Sequence, residues 1–252
     1  VEVDGEPPLI IDLGTGLRAL GEYLGANGGP PVHANALLSH LHYDHVLGLP
    51  FFRPLQDPDA TVDVYGPTQE AGPLAGVLAA MVTPPFFPIH LREFGGEIRF
   101  HDLDGTEDFR LGRIAVSARL IPHVGTTLGF RIEADGRSVA YLSDHQAPAD
   151  RQSVDDRVLE LCADADLVLH DAQYTDEEFA TMSDWGHSTV GYAVHVAAEA
   201  GARRLALFHH DPSHHDDDLD RLLLHARTAA GTRLEVSAAA EGDTVTLGGP
   251  PS

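Results

Sequence analysis

The stretch SHLHYDHVLGLP, residues 39–50, places His40, His42, Asp44 and His45 within six positions, directly after an apolar run. Imidazole and carboxylate are the groups that hold zinc and similar divalent ions. In an extended segment, His40 and His42, two residues apart, project to the same side. One tetrahedral ion normally collects its ligands from separate segments, so four donors this close together suit two adjacent ions better than one. The remaining donors of such a centre are expected where other apolar runs end in His or Asp. His123 ends ARLIPH, Asp144 ends VAYLSD, His170 and Asp171 end DLVLHD, and His209 ends RLALFH. His187 stands apart in WGHST, just before a segment of helical character.

These donors need strands and turns to carry them. PPLIID reads as an apolar strand ending in Asp12, LGTG as a turn, and Leu17, Leu20 and Leu24 fall at helical spacing. ANALLSH reads as a second short buried strand and TVDVYGP as a third. TQEAGPLAGVLAAMV predicts a helix, and TPPFFPIHL a proline-rich loop whose Phe86 and Phe87 suit either base stacking or core packing. EIRFHDL and IAVSARLIPH are strand-like, and LGFRIEADGRSVAYLSDH predicts a hairpin turning at Asp135-Gly136. From residue 153 onward, the pattern becomes helix (SVDDRVLELCADA), strand (DLVLHDA), helix (STVGYAVHVAAEAG, starting near Ser188 and stopped by Gly201) and strand (RRLALFHH). A last helix, SHHDDDLDRLLLHAR, carries Asp216, Asp217 and Asp218 where a helix dipole favours negative charge. Two strand-rich halves with interspersed helices predict an α/β sandwich of two sheets with helices outside.

Bulk composition narrows the functions. The 252 residues and 43% hydrophobic content suffice for a substantial core, expected as a single domain over residues 1–252. No apolar run approaches the roughly 18–20 residues of a membrane span, and neither end reads as a signal segment. The lone Cys162 excludes an internal disulfide and fits a reducing compartment, so a cytoplasmic location with no membrane partner is expected. A formal charge of −23 sets the surface against nucleic acid and anionic lipid.

The full His-x-His-x-Asp-His signature at His40, His42, Asp44 and His45, with the later strand-end residues, resembles the metallo-β-lactamase-fold hydrolases over nearly the whole chain. The resemblance implies an αββα sandwich of two mixed sheets and a dinuclear zinc centre; by ligand type, manganese or iron could also occupy such an oxygen- and nitrogen-rich pair. It implies that His40, His42 and His123 hold one ion, Asp44, His45 and His209 the other, and that Asp144 bridges them. Asp12, beside GTG, would support the metal loop. The resemblance also implies that a first strand precedes Val1. Asp144, where many β-lactamases of the fold have cysteine, argues against that activity. The elements His170-Asp171-Ala172-Gln173, Gly186-His187-Ser188-Thr189 and His209 resemble, in this order, the ribonuclease Z and phosphodiesterase branch. The first element departs by Asp for Glu and Gln for Thr.

Two divalent ions can hold a bridging hydroxide near neutral pH and stabilise charge on phosphorus. A leaving alkoxide still needs a proton or a positive contact, for which His187 is the candidate, with Asp171 orienting its ring. Asp44 is a secondary candidate as a proton shuttle. Ribonuclease Z members that bind transfer RNA resemble one another in a long arm between the third-histidine motif and the bridging aspartate. Here His123 and Asp144 leave room only for a hairpin. The expectation is therefore a phosphodiesterase acting on a small or cyclic-nucleotide phosphodiester, as a homodimer like related phosphodiesterases. The rivals are a ribonuclease Z-like transfer-RNA 3′-processing endonuclease, a lactone or thioester hydrolase at the same metals, and a non-catalytic metal-binding module.

Overall fold

Short apolar runs ending at glycine, proline or a polar donor become strands, and the runs with helical spacing become the helices between them. In the computed structural model, which describes residues 1–25 and 29–248, the chain forms two units, Val1–Gly105 and Thr106–Ser252.

The first unit runs β1 (Leu9–Ile11), α1 (Leu17–Leu24), β2 (His33–Leu37), the single turn α2 (Tyr43–Val46), β3 (Thr61–Pro67), α3 (Leu74–Met81) and β4 (Glu97–Leu103). Its sheet has the order β1-β2-β3-β4 and is parallel throughout. The expected mixed pairing therefore holds only for the second sheet. Parallel neighbours need crossovers, and here the glycine-bounded α1, the α2 region and α3 provide them. Leu13, Leu38, Val46, Leu49, Val64 and Leu78 are buried in this unit's core. The predicted helix from Thr68 is shorter than expected. Pro73 sits at its N-cap with ψ 145, and Asp102 accepts the Leu74 amide at 2.8 Å, so the residues before it form a turn closed by a Gln69–Gly72 bridge. In the proline-rich loop Phe86 is 83% exposed, whereas Phe87 packs edge-on against Phe51 at 5.9 Å and lies 6.1 Å from Phe94.

The second unit contains β5 (Asp108–Leu111), β6 (Ile114–Leu120), β7 (Leu128–Ala134), β8 (Arg137–Leu142), α4 (Asp156–Cys162), β9 (Leu167–Asp171), α5 (Asp176–Met182), α6 (Val190–Glu199), β10 (Arg204–Phe208), α7 (Asp216–Ala230) and β11 (Glu235–Ala238). The sheet order is β11-β10-β9-β8-β7-β6-β5. From β8 to β11 the strands pair in parallel, and from β5 to β8 antiparallel. The hairpin turns where predicted. Asp135 (φ 50) and Gly136 (φ 75) both take the positive φ that a two-residue turn between twisted strands requires. Helix α6 begins one residue later than read, because Thr189 rather than Ser188 accepts the Tyr192 amide (3.1 Å). Cys162 is buried among Val158, Leu161, Ala165 and Val196, and burial pushes its thiol up to about 12. It is a core residue, not a nucleophile.

Because β6, β8, β9 and β10 run in the same direction, the residues at or just beyond their C-terminal ends share one edge of the second sheet. Those residues are His123, Asp144, His170 with Asp171, and His209. In the first unit, β1 and β2 likewise end at Asp12 and at Ser39-His40. Among the described residues, no helix is long and apolar enough to cross a membrane.

Candidate functional site

The histidine-rich loop of the first unit is held by backbone contact with the turn after β1. Leu13 donates its amide to the His45 carbonyl (2.8 Å), and Gly48 donates to the Leu13 carbonyl (2.8 Å). This approach requires glycine on both sides. A Cβ on Gly14 would lie 2.4 Å from the Asp44 carbonyl oxygen, and one on Gly48 would lie 1.9 Å from the Gly14 oxygen. Since the obstacles are backbone atoms, Gly48→Ala is expected to destabilise the protein by about 2–3 kcal/mol or more. A thermal melt checks it, and an unchanged melting temperature would mean that the two loops can part without cost.

Asp12 sits at the centre of this loop, at φ 60, in the left-handed region where a single Asp is tolerated. Its Oδ1 accepts the Ser39 amide (2.7 Å). Its Oδ2 accepts the Ser39 hydroxyl (3.0 Å) and His45 Nδ1–H (2.7 Å). Ser39 Oγ in turn lies 3.0 Å from His40 Nδ1. One buried carboxylate thus orients two imidazoles, directly and through a hydroxyl, and turns the Nε2 of each away from it. His40 Nε2 converges with His42 Nδ1 at 2.9 Å, and His45 Nε2 with Asp44 Oδ2 at 3.0 Å. The loop therefore offers two pairs of converging donor atoms. His40 and His45 are buried, whereas the Asp44 side chain is 60% exposed.

In the second unit, Asp144 is buried and stands between two histidines. Its Oδ2 is 3.7 Å from His123 Nε2, and its Oδ1 is 3.5 Å from His209 Nε2. These separations are too long for hydrogen bonds. They match two ligand atoms on a common ion, which stand about 3.4 Å apart when each lies at about 2.0–2.1 Å in a tetrahedron. Each carboxylate oxygen thus faces a different imidazole, an arrangement that suits a carboxylate shared by two ions. Both imidazoles are oriented from behind. His123 Nδ1–H donates to the Gly186 carbonyl (2.7 Å), and His209 Nδ1–H donates to Gln173 Oε1 (2.8 Å), whose amide nitrogen reaches Asp211 at 3.3 Å. A ring nitrogen fixed on a carbonyl or carboxylate, with the other facing a shared point, is the arrangement that protein metal sites use. The donors of both units therefore fit divalent ions. Gln173, where the resembled motif has threonine, supports His209.

His187 and Asp171 are brought together, with His187 Nδ1 2.8 Å from Asp171 Oδ2. Asp171 is fully buried and also accepts the amides of His145 (3.2 Å), Gln173 (3.1 Å) and Ser188 (3.1 Å), so its carboxylate is held by four donors. The His187 ring stacks on that of His209, with centroids 4.9 Å apart and an interplanar angle of 15°, and meets the His123 ring edge-on at 5.5 Å. Asp144, His187 and His209 each offer an atom within 4.8 Å of the others. The His187 nitrogen 4.0 Å from Asp144 is the same Nδ1 that donates to Asp171, which removes it as a ligand. His170, whose place beside Asp171 suggested a site role, turns inward instead. It donates Nδ1–H to the Asp171 carbonyl (2.6 Å) and pairs through Nε2 with His145 Nδ1 (2.9 Å). Burial, with His170 alongside, holds His145 well below the ordinary imidazole range, and burial also lowers His170, so this pair is a neutral buried support.

Residues 10–210 match the family described as Beta-lactamase superfamily domain. The chain belongs to this superfamily. An uncharacterised protein of Mycobacterium tuberculosis is 31% identical over 221 residues, covering 82% of this chain and 71% of that protein. Ribonuclease Z of Haloferax volcanii is 29% identical over 255 residues, covering 83% of this chain and 77% of its own length. Among solved structures, the metallo-β-lactamase fold protein YhfI from Bacillus subtilis superposes with a TM-score of 0.69 at 21% identity, over 96% of this chain and 88% of that one. The superfamily fold is thus the one expected from the histidine signature, and the chain is a metallo-β-lactamase-fold hydrolase. The superfamily match spans β1 to β10 and includes every residue named as a metal donor.

Proposed function

We propose that the chain is a dinuclear metal phosphodiesterase acting on a small phosphodiester, with a cyclic nucleotide as the leading substrate class. In this reading residues 1–252 form a single hydrolase domain. His40, His42 and His123 would hold one ion, Asp44, His45 and His209 the other, and Asp144 both. Nitrogen and carboxylate donors of this kind suit zinc, and manganese or iron less closely. Bound there, two divalent ions would supply an acidified water and positive charge facing a phosphate.

The observation that carries the reading is the His187–Asp171 pair. Asp171 fixes the His187 tautomer with Nδ1–H directed inward, which leaves Nε2 on the outer side of a ring that is stacked on His209. An imidazole held there can contact a phosphate oxygen and, as an imidazolium paired with Asp171, give its Nε2 proton to the departing alkoxide. In this reading Asp44, exposed beside His45, would pass protons to solvent. A carbonyl substrate such as a lactone makes no comparable demand on His187.

The ribonuclease Z relative favours a second reading, endonucleolytic cleavage of RNA. The 21 positions from His123 to Asp144 are filled by the β7–β8 hairpin with its two-residue turn, and the formal charge is −23. Both weigh toward the small substrate. The test is hydrolysis of bis(p-nitrophenyl) phosphate, 3′,5′-cyclic AMP, precursor transfer RNA and a nitrophenyl ester by the metal-reconstituted protein and by His187→Ala. Diester turnover that falls about 10²–10⁴-fold in the variant, at unchanged metal content, is the expected result. Cleavage of the ester alone, equal in both proteins, would overturn the proposal. Cleavage of precursor RNA in preference to cyclic AMP would decide for the second reading.

A further inference from the structure

Strands β8 and β10, which lead to Asp144 and His209, begin at the opposite edge of the second sheet in a cleft of about 310 Å³. Arg137, Asp166, Arg203, Arg204, Glu235 and Leu247 line it, with Gly248. Arg137 opens β8, Asp166 precedes β9, Arg203 precedes β10 and Arg204 opens it, and Glu235 opens β11. Sixteen arginines and no lysine stand against 39 acidic residues in the chain, yet three arginines meet here against two carboxylates. Sequence reading assigned this group nothing, because its members are up to 98 positions apart.

The guanidiniums are held in place without being matched. Asp166 has one oxygen, Oδ2, taken by the Ser138 amide (2.9 Å). The other, Oδ1, is shared by Arg203 (2.8 Å) and Arg137 (3.4 Å), and Arg204 reaches only the Asp166 carbonyl, at 3.4 Å. Among the described residues, none of these three guanidiniums forms the two parallel N–H bonds that a carboxylate can accept. Each directs one N–H to Asp166 and presents the rest of its fork to the cleft or its rim. Forked donors converging on a concave space are the geometry that recognises phosphate oxygens, and the volume falls at the small end of ligand pockets, about 300–1,000 Å³.

We propose that this cleft is a binding site for a small phosphate-bearing anion, separate from the metal-donor edge. The five residues of β9 place Asp166 and Asp171 at opposite ends of one strand, about 17 Å apart. Hydrogen exchange of the metal-loaded protein, read by mass spectrometry with inorganic phosphate, adenosine 5′-monophosphate or adenosine at constant ionic strength, tests it. Either phosphate ligand is expected to slow exchange in segments covering 135–139, 203–206 and 235–237, and adenosine alone is not. If the monophosphate acts at concentrations at least tenfold below inorganic phosphate, the site takes a nucleotide; equal potency assigns it to phosphate alone. Arg203→Gln/Arg204→Gln, or Arg137→Gln by itself, is expected to raise the required concentration at least tenfold, while diester turnover in the absence of added anion stays as in wild type. Protection confined to segments containing the metal donors, or absent altogether in wild type, would overturn the proposal whatever the variants do.

Discussion

Asp144→Ala is expected to weaken metal binding by more than about 100-fold and to abolish measurable diester turnover at stoichiometric metal. Replacing residues that only orient a ligand already costs about 10–100-fold in metal affinity. Asp144 presents separate oxygens toward His123 and His209, at 3.7 and 3.5 Å, so in the proposed centre its loss removes a direct donor from both sides at once. His209→Ala removes one donor and leaves Asp144 facing His123, so it is expected to retain one equivalent of metal where Asp144→Ala retains less than one. Metal quantification after dialysis against a defined metal buffer measures both. Two equivalents retained by Asp144→Ala would show that this carboxylate does not bridge.

The proposed donors were legible because parallel strands deliver their last residues to a common edge, and an apolar run ending in His or Asp is visible in one dimension. What stood behind the donors was less visible. Gly186 supports His123 through its carbonyl, which any residue possesses. What makes it glycine is a φ of 100 and a Cβ position only 2.5 Å from the His123 ring. Gln173 supports His209 across 36 positions, and glutamine in a loop carries no sign of its partner. Four elements were also unread, the single turn α2 among them. Strand β5 has only four residues and forms the sheet edge. Helix α5 had a usable signal, the Thr175-x-x-Glu178 capping box, in which Thr175 Oγ1 accepts the Glu178 amide and Glu178 accepts the Thr175 amide. Strand β11 is equally short and alternates buried with exposed residues only at Val236 and its neighbours, too few for a period to emerge.

Asp171→Asn is expected to lower turnover about 10²–10⁴-fold with both metal equivalents retained, because it reverses the instruction given to His187. In the wild type, Oδ1 receives the Gln173 and Ser188 amides, while Oδ2 receives the His145 amide and His187 Nδ1–H. An asparagine has only one acceptor oxygen for these two pairs of donors. If that oxygen keeps the amides of Gln173 and Ser188, the side-chain NH₂ faces His187 Nδ1. The ring must then accept there and carry its proton on Nε2, without the carboxylate that stabilised its charged form. If the amide takes the other orientation, two buried backbone N–H groups lose their acceptor at about 1–3 kcal/mol each. The first outcome costs chemistry and leaves one buried amide, that of His145, without its acceptor, whereas the second leaves two amides without theirs and keeps the ring's tautomer, so turnover and thermal melts measured together separate them. Leaving-group dependence is the sharper readout. A nitrophenolate departs with little need of a proton, whereas the ribose alkoxide of a cyclic nucleotide requires one, so the variant should lose more activity on 3′,5′-cyclic AMP than on bis(p-nitrophenyl) phosphate. Equal losses on both substrates would leave His187 as a phosphate contact and remove it as the proton donor.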